Sequence, residues 1–136
     1  NKLQAEAQKT PTFEKIVPEL DMTTSSIGFA TINNLQITTN KANGNHYPFY
    51  LTNRIEQEHC RSFEVEILTV GSYNIWVGVV ADTLKNGGIN CYNNADSLVV
   101  YFHNGSTYLQ CEGKQSTIPT FQLVNGYRIL VKVNRK

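Results

Sequence analysis

Charge, paired cysteines and long apolar runs are all scarce in this chain, and each scarcity excludes a class of protein. Only 17% of the 136 residues are charged, and Lys and Arg (12) nearly balance Asp and Glu (11), for a net charge of +1. That balance leaves neither the basic footprint of a nucleic-acid binder nor an acidic tail. No apolar run approaches the roughly 18 residues that a membrane helix needs, so no membrane partner is expected. Three cysteines, Cys60, Cys91 and Cys111, are odd in number, widely spaced and without a CxxC pair. This argues for free thiols in a reducing compartment, and hence for a cytoplasmic protein.

Groupings that carry chemistry are scarce as well. His46, His59 and His103 fall in separate segments with neither HExxH nor His-x-His spacing, so no converging metal ligands are expected. His59 and Cys60 are adjacent, and neighbours in an extended chain point to opposite faces, which rules out a base–thiol pair. Glu64 and Glu66 share one strand face, whereas the carboxylates of a glycosidase flank the scissile bond from two walls. They read as a solvated face or an ion pair. Asn86-Gly87-Gly88 lacks the Lys-Ser/Thr and the helix of a phosphate loop. Neither an enzyme nor a cofactor is expected. Asn104-Gly105-Ser106 matches a glycosylation triplet, but it reads first as a hairpin turn.

What the chain does have is strand signal. Phe63, Val65 and Ile67 alternate with Glu64 and Glu66, as in a half-buried strand. Trp76 to Val80 is apolar on both faces, as in a strand between layers, and the turn-rich link 69–74 joins the two as an antiparallel hairpin. Strand-like runs at 27–31 and 35–39 flank Asn33-Asn34. Leu98 to Phe102 and Thr107 to Cys111 flank Asn104-Gly105, and Thr120 to Val124 and Tyr127 to Val133 flank Asn125-Gly126. Asn-Gly between apolar runs is a strong hairpin signal, because a type I′ turn needs positive φ twice. Residues 1–9 favour a helix that Pro11 stops. Residues 11–24 read as an extended linker whose Phe13, Ile16, Val17 and Leu20 cover a sheet edge. About eight short strands with regular turns predict one all-β domain over 25–136, a sandwich or barrel. Its expected core is Phe63, Val65, Trp76, Val77, Val79, Leu98, Val100, Ile129 and Val131.

The runs Ser62-Phe63-Glu64-Val65-Glu66-Ile67 and Ile75-Trp76-Val77-Gly78-Val79 resemble the "YWEVEV" and "W-x-VGV" strands of the SPRY (B30.2-like) family. Val99 to Gly113 resembles the hairpin that follows them there. Gly126-Tyr127-Arg128-Ile129-Leu130-Val131 is similar to the family's "GD-x-I-G-V" strand, with Tyr127 in place of the acidic residue. The resemblance spans about residues 25–136. It implies an antiparallel β-sandwich of SPRY/concanavalin-like jelly-roll type, preceded by a short helical or extended segment. In the family the pattern continues past this strand. The domain is therefore expected to lack its last strands, and the 127–133 edge to be covered either by a further C-terminal segment or by a strand from another chain.

Function follows from the resemblance as non-catalytic recognition of a protein or peptide, within a larger scaffold or ubiquitin-ligase-type protein. The contacts are expected in loops, where Tyr and Asn supply rigid area and adaptable hydrogen bonds. The residues are Tyr47, Phe49 and Tyr50 in the 43–50 segment, Tyr73 and Asn74 in the 72–74 turn, and Tyr92, Asn93 and Asn94 in the 84–95 loop. Phe49 and Tyr50 are equally suited to the core. Trp76 reads as core, against a stacking platform for sugar. Two other classes remain open: a carbohydrate-binding, lectin-like sandwich, and a structural subunit of a large assembly.

Overall fold

The computed structural model describes residues 11–39, 48–70, 74–83, 97–103, 106–111, 113–119 and 121–136. The expected helix at 1–9 and the 84–95 loop lie outside them. Nine strands are described: β1 Glu14–Lys15, β2 Ala30–Asn33, β3 Gln36–Thr39, β4 Cys60–Glu66, β5 Asn74–Val80, β6 Ser97–His103, β7 Ser106–Cys111, β8 Lys114–Thr117 and β9 Arg128–Asn134. They form three sheets in the orders β1-β4-β9, β2-β3 and β5-β6-β7-β8. Every ladder is antiparallel except the two-residue β1–β4 pairing. The architecture is an all-β antiparallel sandwich.

Ile67, Phe102 and Leu123 are the centre of the core, and Val65, Val70, Ile75, Val77, Val100 and Ile129 pack around them. Residues of β4 and β9 thus meet residues of β5 and β6, which closes the β1-β4-β9 sheet over one face of the β5–β8 sheet. In β9 the alternation is clean: Ile129, Val131 and Val133 are half-buried while Arg128, Leu130 and Lys132 are exposed. The register Phe63↔Val131 and Val65↔Ile129 puts the alternating residues of both strands on the core side.

The expected 63–80 hairpin does not form. β4 lies between β1 and β9, while β5 is the edge of the other sheet. The reason lies at Ile67, whose N–H donates to Tyr127 O (2.8 Å) and whose carbonyl accepts from Gly126 N (2.7 Å). The Asn125–Gly126 turn takes the hydrogen bonds at the end of β4, so the chain crosses to the second sheet. Gly126 sits at φ 91, a left-handed conformation open to glycine at little cost. Thr120 to Val124 is also not a strand among the described residues. Its backbone groups at Phe121 are met by a side chain: Phe121 N donates to Thr107 Oγ1 (3.1 Å), and Thr107 Oγ1 donates to Phe121 O (3.2 Å). This clamp lets Leu123 drop into the core at 2% exposure.

The expected core needs two corrections. Trp76 is only half-buried and lies on the face of β5 opposite Ile75 and Val77, which pack on the core. Leu98 is 47% exposed, and its neighbour Val99 is buried. Val99 faces Gly78 across the β5–β6 ladder, where a Cβ on Gly78 would lie 2.2 Å from Leu98 O and 2.9 Å from Val99 Cγ1. The missing side chain makes the room that Val99 fills.

Before β2, the chain is held to the sandwich by pairing. Ile16 N donates to Ser62 O (2.8 Å), extending β1 along β4. Arg61 Nη1 reaches Glu14 Oε2 at 3.0 Å. The Asn53 amide bridges Val17 O and Glu19 N, both at 3.0 Å, and Leu20 bridges to Leu51. Val17, expected to cover an edge, is instead 85% exposed.

Candidate functional site

Of the sequence-predicted contact residues, Tyr47, Tyr73, Tyr92, Asn93 and Asn94 lie outside the described residues. Asn74 opens β5 in register with His103. Phe49 is half-buried. Tyr50 is 7% exposed, and its backbone is tied down: Tyr50 N donates to Ser25 Oγ (2.8 Å), and Tyr50 O accepts from Asp21 N (2.8 Å). Of the two roles open to Tyr50, it takes the packed one. The glutamates read as a solvated face are exposed, and Glu66 reaches Arg128 at 4.0 Å. Cys60 is buried and contacts Asn134 Oδ1 (3.3 Å), while His59 is exposed and meets Arg61 through Nδ1 (3.2 Å). The two share no contact. Cys60 and Cys111 are free thiols, and Cys91 is outside the described residues. Among the described residues no three potential metal ligands converge, and no helix is long and apolar enough to cross a membrane.

Two surfaces stand out, and the loop reading anticipated neither. The first surrounds the Asn125–Gly126 turn. Leu68 (50% exposed), Phe121 (48%), Val124 (42%) and Tyr127 (42%) are large apolar side chains left in solvent. They are neighbours. The Phe121 and Tyr127 rings are 5.6 Å apart, Tyr127 N donates to Val124 O (3.2 Å), and Leu68 follows the Ile67 that holds the turn. Phe121 also meets Phe102 edge-on at 6.3 Å, which anchors the patch on the core. Asn125 Oδ1 accepts from Val70 N (2.7 Å), which ties Val70 to the turn. In the sequence the apolar run Phe121-x-Leu123-Val124 next to Asn-Gly was visible. It read as a strand because alternation alone does not say whether a ladder or a lone hydroxyl meets the backbone.

The second surface is the face of the β5–β8 sheet that turns away from the core. Register places Trp76, Tyr101, Tyr108 and Thr117 in one row across four strands, and Gly78, Val99, Gln110 and Gln115 in the next, where Val99 and Gln110 are buried. Trp76 and Tyr101 stack at 4.3 Å and 3°, while Tyr101 and Tyr108 stand 5.7 Å apart and 29° open. An open depression of ≈ 240 Å³, lined by Tyr101, His103, Tyr108 and Gln115, lies at the splayed end. The period-2 pattern of β6 carried this signal. Tyr101 and His103 share parity with Trp76 through the ladder, but the register that unites them is non-local.

Compared with protein-family models, with curated proteins and with solved structures, the chain matches none. The functional reading therefore rests on the surfaces themselves.

Proposed function

We propose that this chain is a non-catalytic recognition domain of SPRY-like type that binds a protein or peptide partner at the Asn125–Gly126 end of the sandwich. The observation that carries the reading is the contiguous patch of Leu68, Phe121, Val124 and Tyr127, each exposed by two-fifths or more. Scattered exposed hydrophobics are ordinary, but a contiguous cluster rimmed by polar groups marks an interaction site. The rim here is Asn125 and the exposed Arg128–Glu66 pair. Aliphatic Leu68 and Val124 offer a partner no hydrogen bond, so the complementary surface is apolar side chains, as another protein presents. Aromatic anchors such as Phe121 and Tyr127 are the kind of residue that dominates binding energy. The quoted SPRY-like runs sit on β4 and β5, and the family reading rests on their sequence resemblance.

Selection of a displayed peptide library on the immobilised chain tests the proposal. Peptides selected on the wild type lose about tenfold or more in affinity, near 1.4 kcal/mol or above, on Phe121→Arg and on Tyr127→Arg, the latter with its melting temperature unchanged. Peptides that bind both variants as tightly as the wild type would place recognition elsewhere.

A further inference from the structure

We propose that the outward face of the β5–β8 sheet holds a binding site for a neutral carbohydrate, separate from the protein-binding patch. The face is chemically unlike the rest of the surface: among its described residues, by register, none is Asp, Glu, Lys or Arg. A phosphate, a sulfate or an acidic peptide finds no counter-charge there. What the face offers is aromatic rings, amides and hydroxyls. That set matches a pyranose, whose C–H faces pack on rings while its hydroxyls exchange hydrogen bonds with amides.

The geometry narrows the site to the splayed end of the ring row. Trp76 and Tyr101 cover each other at 4.3 Å, whereas Tyr108 tilts away by 29° and leaves the depression beside Tyr101, His103 and Gln115. At ≈ 240 Å³ it has room for a single sugar ring. A second observation points to a ligand independently. Gln110 is 2% exposed, and its Nε2 donates to Gln115 Oε1 at 2.9 Å. Its own Oε1 is buried with no hydrogen-bond partner among the described residues. An unmet buried acceptor is destabilising, and native structures retain few of them. A sugar hydroxyl that reaches this oxygen can donate to it and accept from the Gln115 amide nitrogen, with the Gln110 Nε2–Gln115 Oε1 bond kept. Two amides on adjacent strands thereby become the polar wall of the site, and Tyr108 the apolar one.

A panel of neutral oligosaccharides (gluco-, manno-, galacto-, xylo- and chito-oligomers) titrated calorimetrically into the whole chain tests this. At least one series binds in the millimolar range or tighter, with an affinity unaffected by added salt, while sulfated and phosphorylated sugars do not bind. Tyr108→Ala and Gln115→Ala each weaken that binding about tenfold or more. Gln110→Met abolishes it while leaving the melting temperature equal or higher, because the unmet acceptor is gone. Tyr127→Arg leaves it unchanged, which separates this site from the protein-binding patch. Three results would overturn the proposal: no neutral series binding, binding that survives both Tyr108→Ala and Gln115→Ala, or a peptide in place of a sugar protecting this face.

Discussion

At the scale of single residues, Thr107 does the work of a missing strand. Its hydroxyl both receives from Phe121 N and donates to Phe121 O, at 2% exposure. Thr107→Val keeps the shape and removes both bonds, leaving two backbone groups unmet. The expected loss is about 1–3 kcal/mol in urea unfolding, together with raised amide exchange at residue 121. Leu123, also 2% exposed, fills the space that this clamp opens. Leu123→Ala is expected to cost about 2–5 kcal/mol by the same measurement, as transfer and cavity terms add. At Gly78 the problem is the reverse. A Cβ 2.2 Å from Leu98 O forces β5 and β6 apart, so Gly78→Ala is expected to destabilise by about 1–3 kcal/mol through overpacking. Of these three residues, Gly78 alone stood inside a recognised pattern. Leu123 and Thr107 read as ordinary strand positions, because the hydroxyl-to-backbone clamp that unites them has no periodicity.

At the scale of elements, strand existence was legible and strand partnership was not. The alternation of Phe63, Val65 and Ile67, and of Ile129, Val131 and Val133, correctly marked two half-buried strands. That these two pair with each other could not be read, because their contact joins distant stretches of chain and carries no local signal. The link after Ile67 looked like a hairpin turn, since turn residues mark a bend without saying to which sheet the chain returns. The β6–β7 hairpin was read correctly: His103 and Ser106 are register partners, leaving a two-residue connection at 104–105. Sheet order also sets local stability. β4, β6 and β7 are interior strands, while β5, β8 and β9 are edges. Native-state amide exchange is therefore expected to be slowest in β4, β6 and β7 and faster in β8 and β9. Uniform protection across all six would contradict this order. The outer edge of β9 bonds to no other described strand, and Leu130 beside it is 54% exposed. Exposed edges of this kind recruit strands. Concentration-dependent association in sedimentation, reduced by Leu130→Pro, whose N–H points away from β4, is the outcome expected if this edge pairs with another chain.

At the scale of the whole molecule, the sandwich separates two chemistries. One end, around Asn125–Gly126, gathers apolar side chains that the core does not absorb. The outward face of the β5–β8 sheet gathers rings and amides without charge. The near-neutral composition predicted the absence of a basic footprint, but it could not locate either surface, because each is assembled by register and by a turn that docks across sheets. Of the loop residues chosen from the sequence, Tyr50 is packed, and Tyr47, Tyr73, Tyr92, Asn93 and Asn94 lie outside the described residues. The central claim is that recognition of a protein or peptide runs through that patch. Its most direct test is the amide-exchange footprint of a library-selected peptide on the intact chain. The account predicts new protection confined to residues 68–70 and 121–128. Protection along β2 and β3, or none in 121–128 at saturating peptide, would contradict it.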